Sequence, residues 1–217
     1  MTIELYVFPP SPRAFKVLAV ANHLEIPYTT HLVDLGKGDQ RTPSYATLNP
    51  NMRMPTLKDG DFVLWEANAI LQYLALQKPE SGLLPTDERD RVNVTRWQFW
   101  DLAHWDSACA ILIFENIVKP FLLGIDQPDP AALGRGEEAF HRAAKVLNGQ
   151  LRDRQYVTGV TLTVADFSLG AALNHSDAAH LPVGDYAEIR RWYAGLLDLP
   201  AWQRTLDQTK RPVPARA

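Results

Sequence analysis

With 217 residues, 46% of them hydrophobic, the chain can bury a sizeable core in one domain or two small ones, and its formal net charge of −3 offers no broad basic field for nucleic acid. The longest apolar runs, "FKVLAVA" and "ACAILIF", are far too short to span a bilayer, and "MTIELYVFPP" lacks the basic, apolar and small-residue regions of a signal peptide. The single cysteine, Cys109, excludes an internal disulfide and a multi-cysteine zinc site and fits a reducing compartment, most simply the cytoplasm.

Residues 3–8, "IELYVF", are β-prone and end at prolines, which predicts a strand. Residues 12–24 follow with helical spacing of Phe15, Leu18 and Ala19, and "IPYTTHLVDL" then alternates as a second strand. Strand, helix and strand in this short compass predict a βαβ unit with a parallel pair and a right-handed crossover. Residues 36–53, "GKGDQRTPSYATLNPNMR", are polar and broken by Gly, Pro and Asn, and read as a long functional loop. In "PTLKDGDFVLWE", two short apolar stretches flank an Asp-Gly hairpin signal, and "EANAILQYLALQ" carries Ile70, Leu71, Leu74 and Ala75 on one helical stripe.

Residues 79–88, "PESGLLPTDE", read as a linker, and helical patterns fill the remainder: 88–118, then 131–153, 163–179, 186–197 and 200–209. The expected architecture is α/β plus all-α: an α/β domain over 1–78 and a helical bundle over 89–217. In "TLTVADFSLGAAL", Thr163 can cap a helix, Asp166 can reach back from the third helical position, and Leu162 and Phe167 stand where a hydrophobic staple places its pair. That element is read as structural, its cap worth about 1 kcal/mol.

Four stretches, "PPSPRAFKVLAV", "LNPNMRMPTL", "WEANAILQYLA" and "LTVADFSL", taken with the order of elements, make the chain resemble the cytosolic glutathione transferase superfamily. Met-Pro followed by Glu-Ala-x-Ala-Ile is the most specific piece, and the likeness is greatest to serine-type classes such as phi and theta or their bacterial relatives. The resemblance implies a thioredoxin-like first domain, glutathione as co-substrate with no further cofactor, and a homodimer. It implies that Ser11 hydrogen-bonds the glutathione sulfur and that Met54, before a cis Pro55, pairs its backbone with the cysteinyl part. Glu66 and Ala67 would hold the γ-glutamyl group. Arg53, Gln40 and Arg41, with Lys37 as a further candidate, stand in the loop that would meet the glycyl carboxylate.

Each of these residues also has a plainer reading. Ser11 before Pro12 is an ordinary helix start, yet a cap lies at the positive helix end, where amide donors and a hydroxyl would stabilise a thiolate. Arg13 could add positive potential there, whereas it and Lys16 also read as solvated. Composition alone predicts a trans Met54-Pro55 bond. Glu66 would suit a first helical turn for the sake of the dipole alone. Two positions depart from the family pattern: Ala67 stands where Ser is usual, and Met52 where Gly is usual.

Trp100, His104, Trp105 and Ala108 occur at helical spacing and are read as an aromatic acceptor wall for an apolar electrophile, or equally as core or subunit interface. His104 has no second His or Cys at ligand spacing, so no metal is expected. The expected function is activation of the glutathione thiol for conjugation. The alternatives are a glutathione-dependent disulfide reductase or peroxidase, disfavoured by the lack of Cys at position 11, and a non-catalytic binding module.

Overall fold

A computed structural model describes residues 2–210. Two compact units divide the described residues: one holds residues 2–78 together with 197–210, the other Pro79–Leu196.

The first unit opens with β1 (Ile3–Val7), α1 (Pro12–His23) and β2 (Tyr28–Leu32), then α2 (Pro43–Leu48), β3 (Thr56–Asp59), β4 (Phe62–Trp65) and α3 (Ala67–Leu76). The sheet order is β2-β1-β3-β4, with β1 parallel to β2 and antiparallel to β3, and β3 antiparallel to β4. Period-two alternation divides β1 between two faces. Leu5 and Val7 are buried with Leu57. Glu4 and Tyr6 occupy the other face, where the Glu4 carboxylate accepts from Lys58 Nζ at 2.9 Å and lies 2.8 Å from His31, whose ring stacks on Tyr6. The stretch read from sequence as an open loop contains a single turn at Asp39–Arg41 and the short helix α2. Its start signals were present: Thr42 caps it by accepting from the Tyr45 N–H, and Pro43 follows.

The second unit begins with α4 (Glu88–Trp100), capped by the Asp87 carboxylate on the N–H groups of Arg89 and Asp90. A wide π turn, Asp101–Trp105, joins it to α5 (Asp106–Ile113); the Asp106 N–H reaches back five residues to the Asp101 carbonyl. A second π segment, Phe114–Leu123, carries Pro120 and ends at Gly124, whose φ of 66° is left-handed. Then come α6 (Pro130–Leu151), α7 (Val164–Gly170) and α8 (Ala187–Leu197). Gly136 lets α6 approach α5, since a Cβ there would meet Leu112 Cδ2 at 2.9 Å. The capping box expected at α7 is present, with Asp166 reaching back: its carboxylate accepts from the Thr163 N–H at 2.9 Å and from its hydroxyl at 3.1 Å.

The last helix, α9 (Pro200–Thr209), returns to the first unit, although the sequence pattern placed it in the helical domain. Trp202 is buried with its ring edge-on to Phe15 at 4.9 Å, and Asn22 Nδ2 donates to Thr205 Oγ1 and Gln208 Oε1, each at 2.8 Å. Among the described residues no helix is long and apolar enough to cross a membrane.

Candidate active site

The sheet register gathers three of the candidates of the first unit, Ser11, Met54-Pro55 and Glu66, at one end. Tyr6 pairs with Thr56 and Thr56 with Trp65. The chain leaving β1 toward Ser11, the Met54-Pro55 step entering β3, and Glu66 following β4 therefore all lie at the same end of the sheet. Ser11 is half-buried, with extended backbone at φ −80° and ψ 132°, and its Oγ accepts from the Arg13 N–H at 3.2 Å. Capping uses a lone pair of that oxygen, which leaves the hydroxyl hydrogen to donate to a ligand.

The Met54-Pro55 peptide bond is cis, as the resemblance implies. Residues that the sequence reading passed over hold the approach to it. The Arg53 carbonyl accepts from Tyr45 Oη at 2.8 Å and from Asn49 Nδ2 at 2.6 Å, and both side chains also contact Thr56 Oγ1. Asn49 Oδ1 in turn accepts from the Asn51 N–H at 3.0 Å. An Asn after a short helix and before Pro50 was the one local sign of such a turn. Met52, where the resembled family usually has Gly, carries a left-handed φ of 52°, a conformation that costs a side chain about 1–2 kcal/mol. Replacing the buried Asn49 by Ala removes donor and acceptor together, and should lower unfolding stability by about 1–3 kcal/mol in urea melts. No measurable change would mean that the loop is held by other contacts.

Glu66 is exposed and caps α3 through its backbone, at φ 73° and ψ 112°, with no side-chain hydrogen bond into the helix. Such a non-glycine conformation costs about 1–3 kcal/mol and is typical of functional sites. Ala67 is buried directly behind it. Lys16, read from sequence as solvated, is instead only 2% exposed, and its Nζ donates to the Oδ1 of buried Asn68 at 3.2 Å. That contact bridges α1, one turn in from its start, and the first turn of α3. Arg13 is half-buried, and Lys37, Arg41 and Arg53 are exposed. Gln40 is half-buried in the Asp39–Arg41 turn, its Oε1 enclosed and without a hydrogen-bond partner among the described residues.

The four residues expected to line an acceptor wall separate within the second unit. Trp100 and His104, with ring centroids 5.9 Å apart, line a cavity of about 440 Å³ together with Ser107, Arg142, Ala143 and Val146. Trp105 and Ala108 are buried in the core instead: the Trp105 indole N–H donates to the Leu169 carbonyl at 2.9 Å and its ring packs on Phe140. Cys109 is buried. Among the described residues no cluster of three or more His, Cys, Asp or Glu could hold a metal.

Known proteins carry the same organisation along their whole length. The family profile of the glutathione S-transferase N-terminal domain matches residues 1–76, and that of the C-terminal domain residues 130–195. Glutathione S-transferase 3 of Zea mays is 30% identical over 219 residues, covering 98% of this chain and 96% of that protein. Glutathione S-transferase 2 of Anopheles gambiae is 30% identical over 198 residues, covering 90% of each. Among solved structures, a glutathione S-transferase III in apo form superposes with a TM-score of 0.86 at 28% identity, over 99% of this chain and 100% of that one. A Burkholderia graminis glutathione transferase with two glutathione molecules bound per subunit gives a TM-score of 0.84 at 26% identity, over 97% and 90%. A thioredoxin-like unit followed by a helical one defines the class, and the chain belongs to the glutathione S-transferase family. It is an enzyme of that family, a glutathione transferase.

Proposed function

We propose that the protein is a serine-type glutathione transferase in which the Ser11 hydroxyl donates to the sulfur of bound glutathione and holds it as thiolate. The observation that carries this is the 3.2 Å contact from the Arg13 N–H to Ser11 Oγ, which spends the oxygen's lone pair on the helix start and leaves its hydrogen for the ligand. The site lies at the positive end of α1, where a negative sulfur is stabilised by the dipole and the first-turn amides. The free thiol has a pKa of about 8.5, and these surroundings lower it. The thiolate then bonds to the electrophilic carbon, the leaving group departs with the bonding pair, and the thiol proton has already passed to solvent. Ser11 moves no proton.

Met54 would offer its backbone to the cysteinyl residue, as an added strand does, beside cis Pro55. Glu66 and the Ala67 N–H would take the γ-glutamyl group at the start of α3. Arg53, Gln40 and Arg41, with Lys37 and Arg13 as outlying cations, are the candidates for the glycyl carboxylate and the local potential. Trp100 and His104 are the candidates for contact with an apolar electrophile. A homodimer fits the exposed Phe62 and Trp65 of the first unit and Val92 and Phe99 of the second; a monomeric mass by light scattering would count against it. The lone cysteine suits the cytoplasm, which cell fractionation can test.

Turnover with glutathione and 1-chloro-2,4-dinitrobenzene, set beside turnover with a glutathionylated disulfide, tests the assignment. Conjugation should be the faster reaction. Disulfide reduction that outpaces it would replace this reading with a reductase.

A further inference from the structure

The cleft that Trp100 and His104 border in the second unit is distinctive in what lines it. The two rings stand with centroids 5.9 Å apart and planes inclined at 46°. Ala103, Ala139 and Ala143 add little more than methyl groups, which leaves the space of about 440 Å³, enough for a substituted ring. The opening has a backbone cause. The π turn at Asp101–Trp105 shifts the helical phase, so that Trp105 enters the core while Trp100 and His104 stand across the gap from α6. Among the described residues the lining holds no Asp or Glu, and its one permanent charge is Arg142.

The polar groups of the lining differ in what they can offer a ligand. Ser107 has a single hydroxyl hydrogen, which is directed at the carbonyls of Ala103 and His104, at 3.2 and 3.1 Å, so it presents lone pairs only. Arg142 donates from Nη1 to Glu138, one turn earlier on α6. That uses one of five guanidinium N–H groups. Both side chains of the pair are largely exposed, and an exposed pair at this spacing holds its partners weakly. The rest of the fork suits a planar carboxylate. An uncharged electrophile would use the rings and the methyl groups and leave the guanidinium idle, whereas a flat ring bearing an acid uses all three.

We propose that the electrophile is an aromatic acid, with its ring against Trp100 and His104 and its carboxylate on Arg142, which is thereby the residue that sets specificity. The inference rests on the reading of Trp100 and His104 as contacts of the electrophile. In the reaction the glutathione thiolate bonds to the ring carbon that carries the leaving group, and a halide departs with the bonding pair. The carboxylate passes through unchanged, so Arg142 holds the substrate and moves no proton.

The test uses 4-chloro-3-nitrobenzoate and 4-chloro-3-nitrobenzamide, which share ring, nitro group and leaving chloride and differ in charge. The ratio of kcat/KM for the acid to that for the amide, compared between proteins, cancels the intrinsic reactivity of the two rings. Arg142→Gln should lower that ratio about tenfold, the order expected for a lost charge-assisted contact. Arg142→Lys should lower it less, since it keeps the charge and loses the fork. Glu138→Gln removes the competing carboxylate and should raise it. Lys145→Gln, a cation of the same helix outside the cleft lining, should leave it unchanged. A ratio unmoved by Arg142→Gln overturns the proposal, and so does an equal fall in Lys145→Gln, which would make the effect one of general field. Trp100→Leu tests the reading beneath: it should slow both substrates. If it slows neither, the electrophile lies outside this cleft and that reading falls with the inference. If it slows both while Arg142→Gln leaves the ratio intact, this inference alone falls.

Discussion

Ser11→Ala should lower kcat/KM for conjugation by roughly 10- to 100-fold, the worth of one hydrogen bond to a charged group. It should also move the acidic limb of the pH–rate profile upward, toward the free-thiol value of about 8.5. The wild-type hydroxyl favours the thiolate over the thiol, so its removal must raise the apparent thiol pKa. The same change strips the cap from the Arg13 N–H, at a stability cost of about 1 kcal/mol. Ser11→Asp separates the two effects. A carboxylate caps as well as a hydroxyl but donates nothing and repels a thiolate, so that variant should be as stable as wild type and less active than Ala. A pH–rate profile unmoved by Ser11→Ala would remove Ser11 from the chemistry and leave it a helix cap.

Asp166→Ala should destabilise the protein by about 3–5 kcal/mol, enough to abolish folding in a marginal background. The carboxyl is fully buried. Burial pushes its pKa up, and four donors pull it back: the N–H groups of Val157 and Thr163, the indole N–H of Trp192 and the Thr163 hydroxyl. Oδ1 serves Val157 and Trp192, while Oδ2 serves both groups of Thr163. Alanine leaves all four without their acceptor in the core. Asparagine should cost less, about 1–3 kcal/mol. Its oxygen can keep Val157 and Trp192, and the Thr163 hydroxyl can rotate to accept from the new NH2, so only the Thr163 N–H is opposed. Urea unfolding of the two variants gives the order; an Asp166→Ala loss of no more than about 1 kcal/mol would reduce Asp166 to a local cap.

That last contrast shows where sequence reading reaches its limit. The pattern Thr-x-x-Asp reveals the half of the Asp166 network that lies within one turn, and hides Val157 and Trp192, which arrive from other elements. The βαβ opening, the Asp-Gly hairpin and the helical second half were legible because their periodicities are local. Lys16 was misread as solvated because lysine usually is, although its neighbours carried a signal. Ala14, Phe15, Val17, Leu18, Ala19, Val20 and Ala21 are apolar on every side of α1, and a helix apolar all round is a buried one. The acceptor wall divided for a different reason. Trp100, His104, Trp105 and Ala108 were assigned to one stripe on regular helical spacing, but the π turn at Asp101–Trp105 inserts an extra residue and shifts the phase. Trp105 and Ala108 consequently face the core while Trp100 and His104 border a cavity. The hold that Tyr45 and Asn49 keep on the Arg53 carbonyl, each also meeting Thr56 Oγ1, depends on the chain's reversal before β3.

The return of α9 to α1 sets the order in which the protein can be made. Domains generally fold as units during synthesis, the earlier before the later, but here the first unit is interrupted by the second and completed only by residues from Leu197 onward. When the ribosome has released the sheet and α1, Phe15 still lacks Trp202, and Asn22 still lacks Thr205 and Gln208. The first unit therefore waits, with an apolar helix face uncovered, until the helical unit has emerged, so the first unit to be translated is the last to be finished.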